Sequence, residues 1–74
     1  MKYDKVMIGE RIKEARIKKS LTQLEVRSYC GVSQATLSGI ENGTKYPTTS
    51  ILAELCEVLD CNLSYLLGED DDRE

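Results

Sequence analysis

Ser33, Gln34, Ala35, Thr36, Ser38 and Gly39 crowd amides, hydroxyls and small side chains into seven positions without one charge among them. Amides and hydroxyls of this kind pair with base edges in a DNA major groove, and a glutamine amide can bond an adenine through two hydrogen bonds. The means for bond-making chemistry are sparser. There is no histidine, so the commonest general base and metal ligand is absent. The serines, threonines and cysteines have no such base beside them, and no pair of carboxylates falls at a catalytic spacing, which argues against an enzyme. Cys30, Cys56 and Cys61 form no C-x-x-C pair and have no histidine to complete a zinc site. Asp70–Asp72 lack the spaced ligands and glycine of a calcium loop. Neither metal nor cofactor is expected, nor a small-molecule substrate.

The elements that must position these groups read as helical nearly throughout. Ile8, Ile12 and Ala15 recur at helical spacing between charged residues, predicting a first helix over about 5–19. Ser20-Leu21 breaks it. Thr22 and Glu25 form the T-x-x-E pattern in which two residues satisfy each other's exposed amides, opening a second helix over 23–30. Gly31 is expected to end that helix at positive φ. Ser33 caps a third helix over 34–42, stopped by Asn42-Gly43. Thr48 caps a fourth over 49–59, with Leu52, Leu55, Cys56 and Leu59 on one face. Asn62 caps a short fifth over 63–67, closed by Gly68. The three cysteines stand where this pattern wants apolar residues and read as small buried hydrophobes.

A helix of about eight residues, a glycine-containing turn and a second helix capped by serine form the helix-turn-helix signature. Val26, Val32, Leu37 and Ile40 face inward and fix the angle between the two helices, so that one lies in a groove while the other braces across the backbone. The fold class is therefore all-α, a compact five-helix bundle.

The charge supports this only once it is divided along the chain. The 74 residues carry a net −3 and a pI near 4.9, which as totals disfavour an anionic partner. Residues 1–45, however, hold nine basic side chains against five acidic ones, while residues 46–74 hold one against eight. The half with the helix-turn-helix is thus basic, and an anion can approach that face. The length allows one domain, expected over 1–68, with 69–74 an acidic tail expected to be disordered. No apolar run is long enough for a membrane span or a signal peptide. Free cysteines without a signal peptide point to the cytoplasm.

At residues 8–67 the sequence resembles the lambda-repressor-like helix-turn-helix domains of the Cro/cI (XRE) family. The resemblance is carried by Ile8-Gly9-Glu10-Arg11-Ile12, Leu21-Thr22-Gln23, Gly31-Val32-Ser33-Gln34, Ile40-Glu41-Asn42-Gly43, Pro47-Thr48 and Leu63-Ser64-Tyr65-Leu66-Leu67. It covers about four-fifths of the chain in order and without gaps. Thr36–Glu41 also resembles the controller proteins of restriction–modification systems, a subgroup.

The resemblance implies roles residue by residue. Gln23 would bond a DNA phosphate and brace Gln34, which would read a base. Ser33, Thr36 and Ser38 would touch phosphate or base, and Thr44 and Lys45 would grip the backbone. Arg11 or Lys13 would add phosphate contacts. Arg16 and Glu41 would form a largely buried structural ion pair. A homodimer would place two such helices about 34–36 Å apart on an inverted-repeat operator; Leu63, Tyr65 and Leu66 would either form its surface or close the monomer core. The function implied is a sequence-specific DNA-binding transcriptional regulator, a repressor by preference. The alternative is a protein-interaction module on the same fold, an antitoxin or anti-repressor, favoured by the acidic second half. Arg27 and Gly39 depart from the family. Arg27 replaces an alanine where the helices approach, and Gly39 replaces a longer side chain that often reaches bases.

Overall fold

A computed structural model describes residues 3–69. Five helices follow one another: α1 (Lys5–Lys18), α2 (Gln23–Tyr29), α3 (Gln34–Glu41), α4 (Thr49–Leu59) and α5 (Leu63–Leu67). Among the described residues there is no strand, and none of the helices is long and apolar enough to cross a membrane. The expected acidic tail, apart from Glu69, lies outside the described residues.

Helix starts follow local chemistry. Asp4 caps α1 by accepting from the Val6 amide. Thr22 and Glu25 complete their reciprocal capping box at α2, with the Thr22 amide donating to Glu25 at 2.8 Å. Ser33 and Thr48 accept from the Thr36 and Ile51 amides at the starts of α3 and α4. A side-chain acceptor at this position satisfies an amide with no partner inside the helix, which is worth about 1 kcal/mol. Asn62 stands at the cap of α5, but its side chain makes no cap bond.

Four of the five helices end alike. A residue in the left-handed conformation is followed by a residue whose amide reaches back five positions, the Schellman closure. The left-handed residues are Ser20, Gly43, Asp60 and Gly68. The long bonds run from Leu21 to Arg16 (3.1 Å), Thr44 to Gly39 (2.9 Å), Cys61 to Cys56 (3.1 Å) and Glu69 to Ser64 (2.8 Å). Gly43 and Gly68 adopt this backbone freely. Ser20 does so against the ordinary preference of an L-residue.

Helix α2 ends differently, which corrects the expectation for Gly31. Cys30 is extended, at φ −139° and ψ 167°, and Gly31 is not among the glycines at positive φ. A Cβ on Gly31 would meet only Glu54 Oε1, at 3.8 Å. The turn is instead tied from outside: the Gly31 amide donates to Glu54 Oε1 of α4 at 2.9 Å.

The core forms where the apolar faces converge. Ile8, Ile12 and Ala15 of α1 meet Val26 of α2, Val32 of the turn and Leu37 and Ile40 of α3, and Leu55, Leu59 and Leu66 close the far side. Each fully buried side chain of this size contributes about 1.5–3 kcal/mol. Leu52 and Cys56, expected on the buried face of α4, are only half-buried, as are Cys30 and Cys61. Helix α1 packs chiefly on α3, and Gly9 makes this possible. A Cβ there would overlap the Ile40 carbonyl oxygen and stand 3.1 Å from that of Glu41, both backbone atoms. Arg27, expected where α2 approaches α3, lies exposed on α2.

Two substitutions test this account. Gly9→Ala should destabilise the protein by about 3 kcal/mol or more, because two helix backbones must separate. Ser20→Gly should stabilise it by about 1 kcal/mol by relieving the left-handed serine. Urea denaturation monitored by circular dichroism measures both.

Candidate nucleic-acid interface

The polar segment singled out by its side chains lies at the exposed start of α3. Ser33, Gln34 and Ala35 are exposed, and Thr36, Ser38 and Gly39 are half-buried. Leu37 and Ile40 are 0% exposed and anchor the opposite face, so the helix cannot roll without emptying the core. Gln34 makes no side-chain hydrogen bond to any described residue. Its amide is free to take a ligand. Ser33 is committed to folding: its hydroxyl accepts from the Thr36 amide at 3.1 Å and donates to Thr36 Oγ1 at 3.0 Å.

At the other end of α3 the loop folds back over the helix. Thr44 Oγ1 donates to the Gly39 carbonyl at 3.0 Å. Lys45 lays its stem across Gly39, with Cδ and Cγ 3.1 and 3.3 Å from where a Cβ would be. The missing side chain at Gly39 is therefore a seat for Lys45. The sequence shows the glycine but not its occupant.

Beneath the face lies a polar clamp. Arg16 Nε and Nη2 donate to Glu41 Oε2 and Oε1 at 2.7 and 2.9 Å, and Arg16 Nη1 donates to the Leu21 carbonyl at 2.8 Å. The Arg16 and Glu41 side chains are 12% and 2% exposed. Bonding to Glu41 raises the guanidinium further above its ordinary range, with burial opposing. Gln23 joins them, its Nε2 donating to Glu41 Oε1 at 3.1 Å. Glu41 thus braces Gln23, a partner the sequence did not point to. One carboxylate holds the end of α1, the start of α2 and the end of α3 in register.

Arg27 follows Gln23 by four residues on α2, so both stand on one side of that helix. Arg11, expected with Lys13 as a possible phosphate contact, engages Tyr65 of α5. Its guanidinium lies 4.8 Å from the Tyr65 ring centre and donates to the Tyr65 carbonyl at 3.1 Å, fastening α5 to α1. Of the candidate dimer surface, Leu66 is 0% exposed and belongs to the core, whereas Leu63 is 47% exposed. Among the described residues no three potential metal ligands gather.

Helix α3, presented on a rigid two-helix frame by this clamp, defines a lambda-repressor-like helix-turn-helix domain. A helix-turn-helix family model matches residues 12–66. The chain belongs to the helix-turn-helix family of the Cro/cI (XRE) type. It is 38% identical over 64 residues to antitoxin PezA of Streptococcus pneumoniae, a match covering 86% of this chain and 40% of PezA. Among solved structures it resembles the clp gene regulator ClgR of Corynebacterium glutamicum, with a TM-score of 0.81 and 28% identity over 88% of this chain and 69% of that one. It also resembles the restriction–modification controller protein C.AhdI of Aeromonas hydrophila, with a TM-score of 0.79 and 27% identity over 85% of this chain and 96% of that one. The chain spans about half the length of the curated relatives it matches.

Removing one partner of the clamp leaves the other charge buried and unpaired. Arg16→Ala should lower stability by about 3–5 kcal/mol. A melting temperature equal to that of the unaltered protein would refute the structural role of the pair.

Proposed function

We propose that the protein is a sequence-specific DNA-binding transcriptional regulator, acting as a repressor, that inserts α3 into the major groove of its operator. The observation that carries this reading is the unpaired, exposed Gln34 amide at the start of a helix locked to the core by Leu37 and Ile40. Gln34 reads a base, adenine being the best match for its donor and acceptor. Ala35 offers a small apolar contact beside it, Thr36 and Ser38 face base or phosphate, and Ser33 acts chiefly through its cap.

Phosphates are held by the flanks. Lys45 and Thr44 grip the backbone at one end of α3, with Gly39 seating the lysine. Gln23 and Arg27 grip it from α2. Glu41 orients Gln23 while Arg16 neutralises Glu41, which keeps a negative charge from facing the phosphates. Such contacts position the protein without carrying sequence information. The role is binding alone, exercised in the cytoplasm without cofactor or small-molecule substrate.

A homodimer on an inverted repeat fits a single reading helix. Leu63 and the groove it borders between α4 and α5, with Leu52, Ala53 and Leu67, form the contact face. A second reading, a protein-interaction module such as an antitoxin, is favoured by the likeness to PezA and by the acidic second half.

Salt separates the two readings. Log affinity for duplex DNA should fall linearly with log salt, with a slope of about −0.9 for each phosphate contacted. A flat response, or no retention of DNA at low salt, would favour the protein partner. On a selected operator, Gln34→Ala should relax preference at one base position by about 1–3 kcal/mol while non-specific binding persists. Equal loss on all sequences would refute the readout role. Gly39→Ala should raise helix stability by about 0.5–1 kcal/mol yet weaken DNA binding by displacing Lys45. Denaturation and fluorescence anisotropy on the same sample measure this pair of effects.

A further inference from the structure

We infer that Cys56 and Cys61 form a reversible dithiol–disulfide site that clasps the end of α4 to the start of α5. The inference rests on how α4 ends and does not depend on DNA binding. A Schellman closure brings the residue three before its helix end against the residue just after its left-handed one, usually as an apolar contact. Among the described residues the four such pairs are Arg16 with Leu21, Gly39 with Thr44, Cys56 with Cys61, and Ser64 with Glu69. Only at α4 are both members thiols.

The backbone geometry permits the bond. The Cys61 amide donates to the Cys56 carbonyl at 3.1 Å, and the Asp60 amide donates to that of Glu57 at 3.4 Å. Standard bond lengths around the first of these keep the two Cα atoms within about 7 Å, inside the reach of a disulfide. Asp60, left-handed at φ 55°, turns the chain back so that this closure forms. Both side chains line the groove between α4 and α5 with Leu63 and Leu67. They are half-buried, open enough for a small oxidant to reach. Burial, followed by the charge of Cys56, pushes the Cys61 thiol up to about 11, so at neutral pH the pair rests as thiols and reacts slowly. Cys30 is held apart, its thiol donating to the Val26 carbonyl at 3.4 Å.

The co-reactant is a low-molecular-weight disulfide, with oxidised glutathione as the probe. One cysteine, as thiolate, attacks a glutathione sulfur and expels one glutathione. The second cysteine attacks the protein sulfur of the mixed disulfide and expels the other. Two protein thiols lose two electrons and two protons, which leave on two glutathione thiols, and the reverse exchange restores them. The clasp changes the chemistry of the groove wall beside Leu63.

The test equilibrates the full chain in glutathione buffers, with and without urea, then quenches with acid, alkylates and maps disulfides by mass spectrometry. The expected product has lost two hydrogens, links Cys56 to Cys61 and leaves Cys30 alkylated. Its equilibrium constant should be on the order of tenfold higher in the folded chain than in urea, because folding already brings the thiols together. Cys30→Ser should leave the result unchanged, and Cys61→Ser should stop at a glutathione adduct. Links through Cys30, persistent glutathione adducts on the unaltered chain, or equal constants with and without urea would overturn the inference.

Discussion

Glu41 is a carboxylate almost wholly withdrawn from water, and the arrangement of the first three helices depends on satisfying it. Arg16 supplies two donors and Gln23 a third. A buried charge is tolerable only when its partners and geometry are complete, so the three groups can take few positions relative to one another. Arg16 also bonds the Leu21 carbonyl, which extends the constraint into the turn before α2. The apolar core supplies most of the stabilisation, but apolar contacts are non-directional. The clamp adds direction. It sets where α2 begins relative to where α3 ends, and hence how α3 is offered to a partner.

The same economy appears at both ends of α3. Ser33 caps the helix and aligns Thr36, while Thr44 and Lys45 fold back upon Gly39. Structural bonds take up the side chains that flank the exposed face and leave Gln34 unpaired. The overall negative charge of the chain is no obstacle to a DNA partner, since it resides mainly beyond residue 45. The acids of α4 include one with a structural duty, Glu54, which anchors the Gly31 amide across the turn.

Helix starts were legible in the sequence because a cap is a local bond between residues two or three apart. Thr22, Ser33 and Thr48 all act within one turn, whereas the Asp4 cap was not read from the sequence and Asn62, expected to cap α5, makes no cap bond. Helix ends were less legible. Asn42-Gly43 and Gly68 announce themselves through glycine, whereas Ser20 and Asp60 take the left-handed conformation without that signal. Gly31 misleads in the other direction: it has a stop residue's identity, but its backbone is set by Cys30 being extended and by Glu54 from a distant helix. Similarly, Leu63 and Leu66 are equivalent in composition, and only the docking of α5 on α1 decides that Leu66 is buried and Leu63 is not.

By itself the sequence determined the helical class, the order of the five helices, the inward residues Val26, Val32, Leu37 and Ile40, and the uncharged face of α3. Each follows from spacing and capping, which act over a few residues. The tertiary structure decided the matters that join distant positions: Gly9 as the point where α1 meets α3, Glu41 as the brace of Gln23, Lys45 on Gly39, Arg11 on Tyr65, and which apolar side chains stay in water. These depend on the angles at which helices pack, and a pattern of 3.6 residues per turn records which face is buried but not what it is buried against.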